Sequence, residues 1–577
     1  MQKSTKETDN FNKAGRLYEK GEYKKAERLF IKLKQNNFTT WQLGMFIYHK
    51  LEKHAFAINY ALKLINEPEF DTHYKLIFDV LGLSYIGLNQ LDNAILYFEK
   101  SAAKNATLTN ADTLFLLFKA YHQTFRVADV ERLAPKFEHW TDYSVPAALM
   151  LIESAKRLSN KALLLKRVVA IIPECNYLSL LDFSRITDDM INLKEFDKAE
   201  RFISVYEFKH LTLANDFTFK ILRARLALAN KQYNKVHTLL NIDAPDGKTS
   251  FYYTQAKAYE KQGDIDKAFL FFQNGAAVNE EKFPRRKRVD KLNDLNSVVE
   301  NFALKRQKES FTSQSPNSEH SVKHVFTFGF PRSGTTLLET ILETQENTLS
   351  LSELPMLART IQAFKIRLNK KYPQDLVTLT EKELNVLRKV YFDSVTDLGV
   401  EIPALGVLID KGPHNTQHLL LIKLLFPNAK LIISIRHPLA VCLSCFQQDF
   451  AANNNNIFLI TLKDIVARYV QIFTLLESYQ NKLGIECHIV KYEDLIDDLE
   501  GVVEQVFTYL GVQHDKSYLE FHKHASTKYV SSSSRGQTDQ ALYTGAKDNW
   551  KSYYKYLEPY VSDLQYFIDK YNYDVEC

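Results

Sequence analysis

Cysteine is scarce in this chain and its placement builds no framework. The five thiols, Cys175, Cys442, Cys445, Cys487 and Cys577, are odd in number and scattered, which fits a reducing compartment better than a disulfide-stapled secreted fold. Cys442-Leu-Ser-Cys445 has C-x-x-C spacing, but no second Cys/His pair stands at metal spacing, so packing on a helix is expected of it. An excess of charge is lacking too: a net charge of +5 over 577 residues excludes a chain dominated by nucleic-acid binding. No apolar run reaches bilayer length; Leu419 to Phe426 is interrupted by Lys423 and followed by Pro427. The segment Met1 to Asn10 is polar and carries no apolar core of a signal peptide. The expectation is a soluble cytoplasmic protein with neither a membrane nor a nucleic acid as partner.

What is present is ordinary in bulk, 45% hydrophobic and 25% charged residues, and too long for one core. The length allows three or four units, or a repeat array plus a catalytic domain. The second choice follows from the first half of the chain. Lys13 to Phe30 places a small residue, Leu17, Gly21, Tyr23, Ala26 and Phe30 in a layout that returns at Gly82, Tyr85, Leu91, Ala94 and Phe98. It returns again at Ala256, Tyr259, Gly263, Ile265, Ala268 and Phe272. The small position recurs at Ala26, Ala57, Ala94, Ala128, Ala162, Ala199, Val236 and Ala268, at a mean interval of about 34.6 residues against the 34 of the tetratricopeptide repeat. Residues 1–304 therefore resemble a tetratricopeptide array of about eight helical hairpins, each needing a small side chain where its helices cross. Between 120 and 190 the pattern is degenerate, with helices expected but not their boundaries.

The array ends near Pro284-Arg-Arg-Lys-Arg288, for which a solvated surface is the expectation. Residues 305–323, rich in Ser, Gln and Glu, read as a linker. From His324 short β-rich runs alternate with helical ones. Strands are expected at His324–Phe330, Gly406–Asp410, Lys430–Ile435 and Cys487–Lys491, with helices at Thr416–Leu425, Leu439–Phe446 and Leu499–Leu510. This alternation implies an α/β domain over 324–577 with a central parallel sheet covered by helices, its ligands at the C-terminal strand ends. The fold class expected of the whole is thus an all-α repeat superhelix followed by an α/β P-loop-like domain.

The first of those strand ends runs Gly329-Phe-Pro-Arg-Ser-Gly334-Thr-Thr336. Two glycines allow a sharp turn, and the amides of Ser333 to Thr336 face an anion at the positive end of a helix. The frame is that of a nucleotide P-loop, but the lysine of that motif is Thr335 here. The positive charge stands earlier, on Arg332, a side chain suited to bidentate capture of an oxyanion. Pro331-Arg-Ser-Gly-Thr-Thr336 resembles the 5′-phosphosulfate-binding loop of the sulfotransferase superfamily. Arg436-His-Pro438, with Ser444 eight residues after the arginine, resembles that family's 3′-phosphate motif. The two matches imply 3′-phosphoadenosine 5′-phosphosulfate (PAPS) as co-substrate.

Further matches extend the resemblance. Asp410-Lys411-Gly-Pro413 resembles an element of tyrosylprotein sulfotransferases and implies that Lys411 neutralises the leaving oxygen. Ser352-Glu353-Leu-Pro355 resembles the segment that holds the catalytic glutamate of that branch, and Glu353 is the expected base for the acceptor hydroxyl. His414 and His437 are the other candidates, His437 more as a structural residue. Tyr492-Glu-Asp-Leu495 resembles the strand end whose tyrosine lies near the nucleotide. Ser531–Gln537 and Tyr543–Trp550 resemble the cofactor-covering loop and imply Ser534 as a contact. That loop departs from the family at Thr538-Asp539 and at Asn549, and Lys547 is the candidate replacement cation.

The resemblance implies a PAPS-dependent sulfotransferase with Arg332, Lys411 and Glu353 catalytic. Arg332, Ser333, Gly334, Thr335, Thr336, Arg436, Ser444, Tyr492, Ser534 and Lys547 would bind the donor, without a metal. The Glu353 and Lys411 matches lean towards tyrosine of a peptide or protein as acceptor, bound by the array, with glycans and small phenols left open. The missing membrane anchor of eukaryotic relatives favours a bacterial-type cytoplasmic enzyme. Two other classes stay open: a P-loop nucleotide kinase or NTPase, with Asp410 as candidate magnesium ligand, and a non-catalytic nucleotide-binding scaffold built on the repeats.

Overall fold

The computed structural model of the chain describes residues 2–575 except 104–110, 138–143, 214–215, 286–287, 289, 291, 309–321, 405, 451–455, 530–541 and 543–544. It divides into two compact units. One comprises Met1–Ser154 with Asp397–Gly399, the other Ala155–Thr396 with Val400–Cys577.

The first unit is built of helix pairs, Gln2–Glu19 with Tyr23–Phe30, Phe38–Lys50 with His54–Leu64, Phe70–Gly87 with Leu91–Ala103, and Ala111–Gln123 with Val127–Leu133. Each pair reverses through one residue in the left-handed region: Gly21, Glu52, Asn89 and Phe125. Close helix contact explains the small residues. Ala26, Ala57 and Ala94 are fully buried, and a Cβ on Gly82 would lie 2.5 Å from the Phe98 ring.

The helices of the second unit repeat the device, with left-handed turns at Ser159, Lys194, Lys231 and Gly263. Ala199, Val236 and Ala268 are fully buried. Ala128 and Ala162, in the degenerate stretch, are exposed instead. There Val127 and Val130, and Leu164 and Val168, are the buried positions, because one residue of offset turns a helix by about 100°.

In the same unit lies a five-stranded parallel sheet, β1 Lys323–Gly329, β2 Thr348–Ser350, β3 Val407–Lys411, β4 Lys430–Ile435 and β5 His488–Lys491, in the order β2-β3-β1-β4-β5. The central strands are buried along nearly their whole length, as expected where helices cover both faces. Val325, Ile409 and Ile432 pack with Leu338 and Ile341 of the helix Thr335–Leu342 and with Val503, Val506 and Phe507 of Leu499–Leu510. The edge strand β2 was not expected: it has three half-buried residues, too few to show a period. The expected helix from Thr416 begins only at Leu419, after the 3₁₀ turn Pro413–His418.

Of the expected linker, 305–308 continue the helix Leu292–Lys308, where Lys305 Nζ donates to the Val377 carbonyl at 3.0 Å; 309–321 lie outside the described residues. Of the basic cluster, Arg285 is exposed as expected, 286–287 lie outside the described residues, and Arg288 departs from the expectation. The Arg288 side chain is buried and pairs with Asp464 at 2.8 Å, and Arg285 reaches the same carboxylate at 2.6 Å. Asp464 stands in the first turn of the helix Leu462–Leu483, where a carboxylate already gains from the helix dipole. Cys442 and Cys445 are buried on the helix Pro438–Phe446. Among the described residues no helix is long and apolar enough to cross a membrane.

Candidate functional site

Five residues singled out by motif all sit at, or within three residues beyond, the C-terminal ends of the five strands: Arg332 after β1, Glu353 after β2, Lys411 at the end of β3, Arg436 after β4 and Tyr492 after β5. Parallel strands end on one edge of the sheet, so the topology gathers residues spread over 160 positions of sequence into one region.

The loop after β1 is tightly constrained. A Cβ on Gly329 would stand 2.4 Å from the Ser434 carbonyl oxygen on β4. Arg332 adopts a φ of 73° and Gly334 one of 99°, and the latter forms the N-cap of Thr335–Leu342 with no side-chain cap. The first amides of this helix therefore receive no capping oxygen from Gly334, the condition under which a helix start takes an anion. Ser333, Thr335 and Thr336 are buried here, and the Ser333 hydroxyl finds no hydrogen-bond partner among the described residues.

Arg332 Nε donates to Ser444 Oγ at 3.2 Å, and Arg436 Nη1 donates to the Arg332 carbonyl at 3.4 Å. The Arg436 guanidinium lies 4.7 Å from the Tyr492 ring centroid, and that ring also closes over Gly334, 2.8 Å from where a Cβ would be. Burial foremost draws the pKa of Arg332 down to about 10, with Arg436 adding repulsion. Two guanidiniums held this close form a concentrated anion-attracting field.

Lys411 is fully buried and bound to two carboxylates, Glu353 at 2.7 Å and Glu339 at 3.2 Å. Burial opposes its charge, but the carboxylates outweigh that and the net shift is upward. Glu339 was missed in the sequence. Its signal was a lone charge inside the apolar stretch Leu337 to Leu342, one turn after Thr335 on the same helix face. Ser350 Oγ donates to its other oxygen at 2.6 Å. Glu353 is the more open partner, its side chain 40% exposed.

The histidine candidates are placed differently. His437 caps the helix Pro438–Phe446 through Nδ1, stacks on Trp550 with centroids 4.3 Å apart, and lies 2.9 Å from the Asp574 carbonyl through Nε2. Burial first pushes its pKa down to about 4. His414 lines a small cavity with Gly329, Phe330, Pro331 and Arg468, and burial draws it down to about 4 as well. Asp410 accepts from Tyr391 Oη at 2.7 Å and from Asn415 Nδ2 at 3.1 Å. Each of its two oxygens thus accepts one hydrogen bond within the fold.

Lys547 forms a two-oxygen pair with Asp497, both at 2.8 Å, so its charge is engaged by a carboxylate rather than held open for a phosphate. Ser534 lies outside the described residues. Among the described residues no group of three or more His, Cys, Asp or Glu is arranged to hold a metal ion.

Residues 324–516 match the family model of the sulfotransferase family. This stretch is a sulfotransferase-family domain. The family is one of enzymes, and the loop, the Arg436–Ser444 helix and the Glu353–Lys411 pair all fall within the matched residues. A protein of Aquifex aeolicus (strain VF5), itself uncharacterised, is 28% identical over 352 residues, covering 58% of this chain and 44% of its own. The chain thus spans less than half the length of that curated relative. Among solved structures, the sulfotransferase domain of the Synechococcus PCC 7002 olefin synthase is 20% identical, with 41% of this chain and 90% of that domain covered at a TM-score of 0.30. The sulfotransferase domain of the curacin biosynthetic pathway is 19% identical, with 45% and 100% covered at 0.31. A sulfotransferase of Mycobacterium avium is 12% identical, with 60% and 97% covered at 0.28.

Proposed function

We propose that this chain is a PAPS-dependent sulfotransferase that moves a sulfuryl group to an acceptor hydroxyl, with tyrosine of a peptide or protein as the acceptor class. The observation that carries the reading is the Arg332–Ser444 hydrogen bond at 3.2 Å. It joins the loop that resembles a 5′-phosphosulfate site to the helix that resembles a 3′-phosphate site. A nucleotide phosphorylated on both sides of its ribose suits such a pair.

In the reaction, the acceptor oxygen forms a bond to sulfur while the bond from sulfur to the 5′-phosphate oxygen breaks, and 3′-phosphoadenosine 5′-phosphate leaves. Glu353 takes the acceptor proton, being the open carboxylate at this edge of the sheet. Lys411 supplies positive charge for the leaving oxygen, and the buried loop holds donor and acceptor in line. The charge on the equatorial oxygens falls to Arg332 and the helix amides, by analogy with phosphoryl transfer.

The N-terminal helices we assign to a tetratricopeptide-type superhelix that presents the acceptor. The left-handed turns support this, since Gly21, Glu52, Asn89, Phe125, Ser159, Lys194, Lys231 and Gly263 recur at about the 34-residue interval of that repeat.

The test is calorimetric titration of wild type and Arg436→Ala with 3′-phosphoadenosine 5′-phosphate and with ATP, in a metal chelator. Tight binding of the first alone, lost without Arg436, is the expected result, followed by sulfuryl transfer from PAPS to a tyrosine peptide. A preference for magnesium-ATP returns the chain to the kinase class. Nucleotide binding with no transfer to peptide, glycan or phenol acceptors leaves the scaffold.

A further inference from the structure

Lys411 has one more carboxylate than neutrality requires. Its fully buried ammonium is held by Glu353 at 2.7 Å and by Glu339 at 3.2 Å. The two partners differ in setting: the Glu353 side chain is 40% exposed and the Glu339 side chain 6%. Glu353 is open to a reactant, and Glu339 is not.

The surplus matters once Glu353 changes charge. As the base it gains the acceptor proton and becomes neutral. With Glu353 as sole partner, Lys411 would then be a buried ammonium without a counter-charge, which is costly. Glu339 removes that cost, because its pair with Lys411 stays neutral whichever state Glu353 is in. The neighbouring carboxylates are engaged elsewhere. Glu343, one turn beyond Glu339 on the same helix face, pairs with Lys528 at 3.1 Å, and the two oxygens of Asp410 accept from Tyr391 and Asn415.

A second arm runs from Glu339 to the segment that carries Glu353. Its other oxygen accepts from Ser350 Oγ at 2.6 Å, on the last residue of β2. The same hydroxyl accepts from the Ser352 amide at 3.1 Å. Ser352 has a φ of 48°, uncommon for a residue other than glycine, and the Leu351 amide before it donates to the Ile409 carbonyl on β3 at 2.8 Å. Donating one way and accepting the other, the Ser350 hydroxyl is fixed in orientation. The turn that presents Glu353 is thereby tied to Glu339.

We propose that Glu339 is a positioning residue for sulfuryl transfer, the standing counter-ion of Lys411 and, through Ser350, the group that sets the turn presenting Glu353. The inference rests on the roles given above to Glu353 as base and Lys411 at the leaving oxygen.

The test uses the full chain as wild type, Glu339→Gln and Ser350→Ala. Turnover is followed as release of 3′-phosphoadenosine 5′-phosphate from PAPS with a tyrosine peptide and with a simple phenol as acceptors, and affinity for the same bisphosphate is measured by calorimetry. Glu339→Gln keeps the side-chain length and an oxygen for Ser350 but removes the charge. Expected is a kcat lowered about 10- to 100-fold, the size of one charge-assisted hydrogen bond, with KM for PAPS and bisphosphate affinity within threefold of wild type. Ser350→Ala should lower kcat about 3- to 10-fold, the size of a neutral hydrogen bond, with the same affinities unmoved; it decides alone where Glu339→Gln does not fold. Unchanged kcat in either folded variant overturns the proposal. So does a loss of bisphosphate affinity that matches the loss in kcat, the mark of a residue that only holds the fold. A wild type that binds the bisphosphate yet transfers to neither acceptor removes the roles of Glu353 and Lys411 themselves, an outcome separate from these.

Discussion

Arg332 and Ser444 stand 112 residues apart in the chain and 3.2 Å apart in the fold. The contact exists because β1 and β4 are neighbours in parallel register, Gly329 facing Ser434, so the loop after one strand and the helix after the other emerge side by side. A second such pair, Lys411 and Glu353, joins the ends of β3 and β2 at 2.7 Å. The two pairs give the domain a cationic pole and a carboxylate beside a buried lysine, on the same edge of the sheet.

Glu353→Ala should separate chemistry from binding. Lys411 keeps Glu339 as a partner at 3.2 Å, so the buried ammonium stays compensated and the fold intact. Loss of a general base costs about 10²–10⁴ in rate. Sulfuryl transfer should fall by that factor, with affinity for 3′-phosphoadenosine 5′-phosphate within twofold of wild type. Equal loss of binding and turnover would mean that Glu353 acts by holding the site together.

Gly334→Ala meets two penalties at once. The residue has a φ of 99°, and its new methyl would stand 2.8 Å from Tyr492 Cδ2. Backbone strain of this kind costs about 1–3 kcal/mol, and the Tyr492 ring must also move off Arg436. Thermal melting should show the lost stability, and nucleotide titration a parallel loss of affinity. A variant with wild-type values in both would show that the loop relaxes freely.

Arg288→Ala should destabilise the second unit. Its side chain is 5% exposed and pairs with Asp464. Removing one partner of a buried pair costs about 3–5 kcal/mol, and the lower end is expected because Arg285 still reaches the same carboxylate. Chemical denaturation measures this directly; a loss under about 1 kcal/mol would return the cluster to an ordinary surface role.

Stability should fall on mild acidification. His324 is buried, lies 2.9 Å from Tyr391 Oη through Nε2, and burial holds its pKa down to about 3. A histidine depressed in the folded state is neutral there while the unfolded chain takes up a proton. Its contribution is therefore complete above about pH 6.5 and is lost as pH falls towards 3. By linkage one such group removes about 2 kcal/mol between pH 7 and pH 5. His437 and His414, both near 4, add in the same direction. Asp410, raised by burial to about 6, opposes them, since its protonated form favours the fold over the range from about 4 to 6. Urea titrations at pH 7 and pH 5 should show the net loss, and His324→Gln should flatten the slope; an equal slope in that variant would assign the acid sensitivity elsewhere.

Much of the sheet was legible because its strands are apolar runs of ordinary length. Lys430–Ile435 and Leu499–Leu510 were expected at the limits the structure gives them. Where the sequence misled, a local pattern was too short or too permissive. Three residues of β2 carry no period, and Ala128 and Ala162 kept the spacing of the small position without its burial. The arginine at 288 read as surface because nothing nearby in sequence announces Asp464, 176 residues beyond it.

The sequence by itself determined the residue types at each strand end and the turn after β1, because a helix entered at a φ of 99° favours glycine at 334 wherever the chain goes next. Only the tertiary structure decided which of those ends meet. Strand order is set by which apolar faces bury one another, and that order put Ser444 beside Arg332 and Glu339 beneath Lys411. Those are contacts between segments with no local signal in common, fixed by packing across the whole unit rather than by any motif.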